Sequence, residues 1–296
     1  MKDELGDRMK GNYEDRTRFS LPRRTYTIIR VDGKAFHTLT KGMPKPFNLG
    51  FDDNIFAGFM DKTAKALCQH IQGAQFAYVQ SDEISVLLTD FEKTTTDAWF
   101  DGNIQKIVSV AASIATAAFN KARIMRVFEE LPTQFDIQAD LDCETIAKMI
   151  DIIKTAEFDA RVFTIPDPIE VENYFIWRQK DATRNSVSMA ARSLFSDKQL
   201  SGMSTTDKLD MIHASGNNWN DLPDGFKRGR LISYEYLFDL ESSIEFQKSS
   251  PEGMTAEAAN KINAAASRGS WEINPAPDFL KERDELRERI PQISVN

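Results

Sequence analysis

Three carboxylates stand in two short motifs whose residue types could hold a metal ion. Asp32 ends an apolar, β-branched segment, and Asp82 and Glu83 stand between two further strand-like segments. Carboxylates that are brought together repel one another unless a cation lies between them. Mg²⁺ takes hard oxygen ligands and completes its coordination shell with water and substrate phosphates. Two such ions could activate an attacking hydroxyl group and neutralise a leaving pyrophosphate. The pattern predicts a catalytic site formed by Asp32, Asp82 and Glu83.

Each motif also has a purely local explanation. Asp32 precedes Gly33, and Ser81, Asp82 and Glu83 form a polar connection between two strands. Asp, Gly and Ser are common in turns because of their own backbone and side-chain preferences. Either motif alone is therefore explained as a turn. The catalytic hypothesis depends on the fold, which has to bring both motifs to the same end of neighbouring strands.

The apolar pattern predicts elements that would do this. The segment 25–31 has the β-branched composition of a buried strand, and 51–71 has apolar residues at helical spacing. Two strands, a second helix and a fourth strand follow at 76–80, 84–88, 104–119 and 161–165. The order strand, helix, strand, strand, helix, strand is that of the ferredoxin-like fold.

We therefore predict an α+β protein built on a ferredoxin-like palm, the fold of many polymerases and nucleotidyl cyclases. Its helices are expected to pack on one face of an antiparallel sheet. Further helices, after Trp177 to about residue 194, at 206–214 and at 278–289, form a C-terminal helical extension. The first and third strands of this fold are neighbours, so Asp32 and Asp82 should converge.

The chain divides into four predicted segments. The first part of the palm core covers 1–135, and an acidic insertion covers 136–157. The rest of the core and a helical region occupy 158–248, and a linker with a last helix occupies 249–296.

Composition excludes some classes of protein. The net charge of −8 and the pI near 5.1 argue against a protein that coats nucleic acid through bulk positive charge. Apolar runs fall short of the roughly 20 residues that a membrane span needs, so no membrane partner is expected. The charged N-terminal segment lacks the apolar region of a secretion signal, so a cytoplasmic location is expected.

Several motifs resemble those of one enzyme family. Arg30 to His37 (RVDGKAFH), with Lys45-Pro46, and Tyr78 to Glu83 (YVQSDE) are similar to the metal and nucleotide motifs of the tRNA-histidine guanylyltransferases. Three later stretches also resemble the family: 158–162 (FDARV), 177–181 (WRQKD) and 226–229 (FKRG). The resemblance implies a nucleotidyltransferase that adds nucleotides in the 3′–5′ direction to the 5′ end of tRNA.

The resemblance also implies roles for individual residues. Asp32 and Asp82 would bind two Mg²⁺ ions, with the Gly33 carbonyl as a further ligand. Glu83 follows Asp82 on a strand and points to the opposite face, so it would support the site without binding metal. Besides Asp32, Gly33 and Asp82, the implied nucleotide contacts are Lys34, Ala35, Phe36, His37, Lys45, Ser81 and Lys208. The implied RNA contacts are Arg178, Arg184, Asn185, Lys227 and Arg228.

One segment departs from the eukaryotic members. They carry His-Ile-Asn-Asn-Leu-Tyr-Asn after the Trp-Arg-Gln element, whereas this chain reads DATRNSVS at 181–188 and keeps Asn185 in register. This is similar to the bacterial, archaeal and phage branch, whose members repair truncated tRNA 5′ ends by copying the opposite strand. The implied partners are tRNA, ATP, which activates a 5′-monophosphate, GTP and other nucleoside triphosphates, and further copies of the chain in a homotetramer.

Two other functions are compatible with a palm. A nucleotidyl cyclase shares the fold and the acids, but the motif from Lys34 to His37 and the Trp177-Arg178-Gln179 helix argue against it. A non-catalytic RNA-binding module is the other alternative. Retention of both Asp32 and Asp82 argues against that function.

Overall fold

The computed structural model describes residues 3–40, 55–130, 155–236 and 269–293. It contains one six-stranded antiparallel sheet. The strands are β1 (Tyr26–Gly33), β2 (Ala74–Gln80), β3 (Glu83–Leu88), β4 (Phe158–Ile165), β5 (Arg230–Tyr236) and β6 (Gly269–Pro275). Their order is β4-β1-β3-β2-β5-β6. The first four strands therefore have the predicted ferredoxin-like order.

The described α-helices include the five predicted from the sequence and four short ones that were not predicted. They are α1 (Glu4–Met9), α2 (Phe36–Leu39), α3 (Ile55–His70), α4 (Ile104–Glu130), α5 (Pro168–Leu194), α6 (Asp197–Leu200), α7 (Thr205–Ala214), α8 (Asp224–Arg228) and α9 (Arg283–Arg289). The long helix α5 begins well before Trp177. The Asp167 side chain accepts a hydrogen bond from the Ile169 amide at 2.8 Å, and Pro168 takes a first-turn position that suits its missing N–H.

The helices α3 and α4 pack on one face of the sheet. The small residues Ala111 and Ala115 of α4 are fully buried, so the helix backbone lies close to its neighbours. The strands contribute Ile29, Val31, Ala77, Val79, Ile84, Val86 and Ile232 to this core. These are alternate residues along each strand, as expected for one face of a pleated sheet.

The opposite face is also covered, which corrects the prediction that helices pack on one face only. This second face also carries buried aromatic and aliphatic side chains, namely Tyr26, Ile28, Phe76, Tyr78 and Leu87. Val171 and Phe175 of α5 pack there, together with Phe279, Leu286 and Ile290 from the C-terminal segment. The sheet is therefore the middle of three layers.

The C-terminal segment belongs to this layered core. The sequence predicted a linker and a helix in 249–296, but β6 lies within that range and pairs with β5 along its whole length. The stretch GSWEINP contains Gly, Asn and Pro, which are uncommon in strands, so its composition did not predict a strand. The proposed linker 249–268 and most of the insertion 136–157 lie outside the described residues.

None of the described helices is both long enough and apolar enough to span a lipid bilayer.

Candidate active site

The two acidic motifs meet at one end of the sheet. Asp32 lies near the end of β1 and is the register partner of Glu83 at the start of β3. The Gly33 amide donates a hydrogen bond to the Asp82 carbonyl at 3.0 Å. Ser81 and Asp82 form the turn between β2 and β3, and Ser81 has a left-handed φ of 48°. The convergence predicted from the strand order is therefore present.

Asp32 and Asp82 lie in an environment that penalises their negative charge. Partial burial raises the pKa of Asp82 above its ordinary value, and the charge of Asp32 raises it further. Burial also raises the pKa of Asp32, with a contribution from the negative charge of Asp159. Arg161, Arg30 and Arg178 oppose the rise at Asp32. A cation between the two carboxylates would relieve their repulsion.

The donor set fits Mg²⁺. Asp32 and Asp82 supply carboxylate oxygens beside the Gly33 main chain, and hard oxygen donors are what this ion prefers. Within the described part of the chain, no group of three His, Cys, Asp or Glu side chains is arranged to enclose a metal. Mg²⁺ is often held by one or two carboxylates and fills the rest of its shell with water and substrate phosphates.

The Phe36 ring packs directly against Gly33 at the end of β1. A Cβ atom on Gly33 would lie 2.6 Å from the Phe36 ring, so only glycine fits. The Phe36 side chain is 3% exposed and packs on Phe119 and Phe158 with centroid distances of 5.2 and 4.9 Å. The Phe36 ring therefore belongs to the core, and the nucleotide contact predicted at Phe36 stays a prediction that would involve its main chain.

The neighbours of Phe36 are accessible. Lys34, Ala35 and His37 are exposed, and Ala35 has a left-handed φ of 55°. The Lys34 amide donates to the Glu157 carbonyl at 2.9 Å, and the Lys34 ammonium group lies 2.5 Å from the Glu157 carboxylate. The ammonium group has three N–H donors and is 69% exposed, so it can bind a phosphate beside Glu157.

Glu83 is fully engaged by basic and amide groups. Its carboxylate accepts two hydrogen bonds from the Arg178 guanidinium, at 2.7 and 2.8 Å. Arg30 lies 3.9 Å from the same carboxylate, and the Gln80 amide donates to it at 3.4 Å. Glu83 and Arg178 are both buried. Their ion pair joins β3 to α5 directly behind the acidic turn.

Two of the predicted RNA contacts are buried in the protein. Arg178 is 6% exposed and is held by Glu83 and by Asp181, 3.0 Å away. Lys227 is 8% exposed, donates to the Asn220 carbonyl at 2.7 Å and lies over the Trp219 ring. A buried, internally bonded cation reaches a phosphate backbone only by giving up its partners in the protein, so the RNA contacts of Arg178 and Lys227 stay predictions.

The other predicted RNA contacts lie nearer to solvent. Arg184 and Asn185 are exposed on α5, and both contact Asp181. Arg228 is partly exposed and pairs with Asp224 at 2.6 Å. Surface ion pairs of this kind are weak, so Arg184 remains available to a stronger anion.

Lys208 lies on α7, away from the acidic turn. Its ammonium group donates to the Ser188 hydroxyl at 3.1 Å. Ser188 is ten residues beyond Arg178 on α5, which is roughly 15 Å along a helix axis. Lys45 falls outside the described residues.

An ordered row of charges crosses the sheet and was not predicted from the sequence. Asp159 of β4, Asp32 of β1 and Glu83 of β3 are register partners, and Arg161 and Arg30 form the next row on the same face. The Arg161 guanidinium lies 3.3 Å from Asp159. The alternation D-A-R in β4 was visible in the sequence, but its pairing with Asp32 becomes evident only from the register.

Known proteins share this arrangement of elements and motifs. Residues 6–166 match the family model described as tRNAHis guanylyltransferase. This chain belongs to the tRNAHis guanylyltransferase family. The matched range is more than half of the chain and contains Asp32, Asp82, Glu83 and Asp159. The family is one of nucleotidyltransferases, so the chain is an enzyme of that class.

Similar proteins extend the match along the chain. The tRNA(His) guanylyltransferase of Debaryomyces hansenii is 27% identical over 241 residues, which cover 77% of this chain and 80% of the relative. An uncharacterised protein of Acanthamoeba polyphaga mimivirus is 27% identical over 247 residues, which cover 80% of this chain and 79% of that protein.

Solved structures of the family have the same fold. A bacterial tRNA(His) guanylyltransferase-like protein in complex with ATP superposes with a TM-score of 0.73 at 35% identity, covering 98% of this chain and 100% of that chain. Its complex with GTP gives a TM-score of 0.69 at 35% identity, covering 97% of this chain and 99% of that one. The family resemblance inferred from the motifs is confirmed.

Proposed function

We propose that this enzyme adds nucleotides in the 3′–5′ direction to the 5′ end of tRNA and selects them by pairing with the opposite strand. The observation that carries the proposal is the convergence of Asp32 and Asp82 at one end of the palm sheet. Membership of the tRNAHis guanylyltransferase family supports it. The departure from the eukaryotic segment at 181–188 favours template copying over addition of a guanylate to histidine tRNA alone.

The proposed site takes two Mg²⁺ ions on Asp32, Asp82 and the Gly33 carbonyl. Bound there, Mg²⁺ would supply charge neutralisation for phosphates and acidify an attacking hydroxyl group. Ser81, with Lys34 and its exposed neighbours Ala35 and His37, is proposed to orient the triphosphate. Glu83 is assigned to positioning, because its carboxylate is already engaged by Arg178.

The proposed reaction has two steps. The 5′-monophosphate of the RNA first attacks the α-phosphate of ATP, which forms a 5′-adenylyl RNA and releases pyrophosphate. The 3′-hydroxyl of an incoming nucleoside triphosphate then attacks the activated 5′ phosphate, loses its proton and displaces AMP. In such a reaction the protein contributes mainly position and charge. The bacterial relative that binds ATP and GTP supports the choice of triphosphates.

The proposal includes a homotetramer, by resemblance to the family, and a cytoplasmic location, where tRNA and nucleoside triphosphates are available.

The experiment is a template swap. Purified protein receives Mg²⁺, ATP and a 5′-monophosphorylated tRNA that lacks its first nucleotide, with each of the four bases placed opposite the gap. We expect the incorporated nucleotide to follow the opposing base. Guanylate added whatever the opposing base, and only to histidine tRNA, would contradict template copying. A cyclic product from ATP or GTP without RNA would support the cyclase alternative.

Variants test the two carboxylates in the same assay. Asp32→Ala and Asp82→Ala should abolish nucleotide addition and keep the fold, because each removes a metal ligand and also relieves repulsion between acids. Asp197→Asn, which changes an exposed acid on α6, is the matched control and should retain activity. Undiminished turnover by either alanine variant would contradict the assignment of Asp32 and Asp82 as ligands.

A further inference from the structure

An exposed tryptophan lies next to the buried ion pair behind the acidic turn. Trp177 of α5 is 53% exposed, although Trp is on average among the more buried residues. Its ring lies 4.5 Å from the Arg178 guanidinium, which holds Glu83, the register partner of Asp32. The exposed indole is therefore linked through Arg178 and Glu83 to the end of the sheet that carries the proposed catalytic carboxylates.

The indole of Trp177 is supported by residues that contact β3. The Tyr174 ring packs edge-on against Trp177 at a centroid distance of 5.9 Å. The Tyr174 hydroxyl group is hydrogen-bonded to the hydroxyl group of Ser85, two residues along β3 from Glu83, at 2.9 Å. Both neighbours of the indole are thus anchored to β3. A ring that is held in place loses little conformational entropy when a ligand stacks on it.

Two cations continue this exposed surface along the helix. Lys180 and Arg184 follow Trp177 at i+3 and i+7, which places all three side chains on one face of α5. Lys180 and Arg184 are exposed. We call Trp177, Lys180 and Arg184 the basic-aromatic stripe. An exposed aromatic ring followed by cations is the pattern with which proteins hold single-stranded nucleic acid.

We propose that the basic-aromatic stripe binds the RNA strand at the reacting end, with Trp177 stacking on a nucleobase and Lys180 and Arg184 contacting backbone phosphates. This inference rests on the proposed function, because it takes Asp32 and Asp82 as the place where the RNA 5′ end reacts. It adds a subsite for the RNA base. Stacking is tolerant of sequence, so the subsite leaves nucleotide choice to template pairing.

The test measures RNA affinity without chemistry. The probe is the tRNA lacking its first nucleotide, and binding to the full chain is followed by fluorescence anisotropy in EDTA. Trp177→Ala should weaken binding about tenfold, whereas Trp177→Phe, which keeps a stacking ring, should weaken it about threefold or less. Ile169→Ala removes another exposed apolar side chain from α5 and is the matched control, expected to bind normally.

The contribution of the stripe's cations to RNA binding is tested with a separate pair of variants. Lys180→Ala should weaken RNA binding and reduce its salt dependence, whereas Lys198→Ala, which removes an exposed lysine from α6, should do neither. Thermal melting of each variant shows whether it is folded. Because EDTA prevents nucleotide addition, these outcomes do not depend on whether the proposed reaction is correct.

Three results would overturn the inference. Unchanged RNA affinity in a folded Trp177→Ala would show that the ring does not stack on RNA. If Trp177→Ala weakens the binding of GTP or ATP and leaves RNA affinity unchanged, the indole stacks on the base of the free nucleotide and not on the RNA. A change in oligomeric state during sedimentation, with RNA affinity unchanged, would show that Trp177 contacts another copy of the chain.

Discussion

At the scale of single residues, adjacent acids have different surroundings. Asp82 lies in the turn, and its pKa is raised by burial and by the charge of Asp32. Glu83 starts the strand and is neutralised by Arg178 and Arg30. The two residues differ because Asp82 belongs to the turn, whereas Glu83 begins β3 and is held by Arg178 of α5. These surroundings support the proposal that Asp82 binds metal and that Glu83 positions the turn.

The ion pair between Glu83 and Arg178 gives a first prediction. Arg178→Met should destabilise the fold by about 3 kcal/mol, because it leaves a buried carboxylate without its main partner. The double variant Glu83→Gln with Arg178→Met should recover part of this loss, since the buried carboxylate charge is then removed together with its main partner. Urea unfolding of the two single variants and the double variant measures the coupling. Additive losses would show that the two side chains are not coupled.

Activity separates Glu83 from Asp82. Glu83→Gln should reduce nucleotide addition less than Asp82→Ala and leave the Mg²⁺ concentration for half-maximal rate nearly unchanged. A Mg²⁺ requirement that rises sharply in Glu83→Gln would identify Glu83 as a ligand.

The sequence predicted some of these residues and missed others for physical reasons. Asp32 and Asp82 follow from strand order, because a ferredoxin-like sheet makes the first and third strands neighbours. The burial of Arg178 does not follow from its type, because arginine is usually exposed. The free-energy cost of burying the Arg178 guanidinium is offset by its hydrogen bonds to Glu83. Glu83 lies 95 positions away in the sequence, so no local pattern predicts this pairing.

At the scale of elements, the C-terminal segment forms part of the core over the second sheet face. Phe279 is fully buried and packs on Tyr78 at a centroid distance of 5.4 Å. The Phe279 amide donates to the Gln179 side chain at 2.8 Å, and Arg287 pairs with the buried Glu172 at 2.6 Å. These contacts bind the segment to α5 as well as to the sheet.

Removal of the Phe279 ring tests this anchoring. Phe279→Ala should destabilise the protein by about 3–5 kcal/mol, because it leaves a cavity between the sheet and the C-terminal segment. Phe19→Ala removes a ring that is 67% exposed and should change stability by no more than about 0.5 kcal/mol. Chemical denaturation of both variants provides the comparison. An equally small loss for Phe279→Ala would mean that the segment is loosely attached.

Element types were easier to predict than their partners. The β-branched run of β1 and the helical spacing of α3 carry their own signal, and both elements are present. The strand β6 was missed because its residues have weak strand preference and its hydrogen bonds to β5 come from pairing over more than 30 positions. Tertiary pairing, and not local preference, determines this strand.

At the scale of the whole molecule, binding of a polyanion has to rely on local charge. The net charge of −8 repels RNA at long range, while Arg184 and Lys180 offer cations at one place on α5. Salt therefore affects binding through a small number of phosphate contacts. Each such contact to a single strand contributes a slope of about −0.7 in log K against log salt concentration.

The salt dependence of Arg184→Ala is the corresponding prediction. The variant should bind the truncated tRNA more weakly at low salt, with a slope smaller by about 0.7, because one phosphate contact is lost. The choice of nucleotide should stay the same, since phosphate contacts carry no sequence information. Anisotropy titrations at several NaCl concentrations give the slope. An altered nucleotide preference would mean that Arg184 acts on base selection.

The late position of β6 and Phe279 in the chain affects how the protein is made. Protein chains emerge from the ribosome N-terminal end first, and folding begins during synthesis. The first four strands, α3, α4 and α5 can assemble early, while Tyr78 still lacks the cover that Phe279 provides. Until translation passes Ile290, the part of this face that α5 does not cover is exposed to chaperones and proteases. A prematurely terminated chain would keep that face exposed, so cellular quality control could distinguish truncated from finished enzyme.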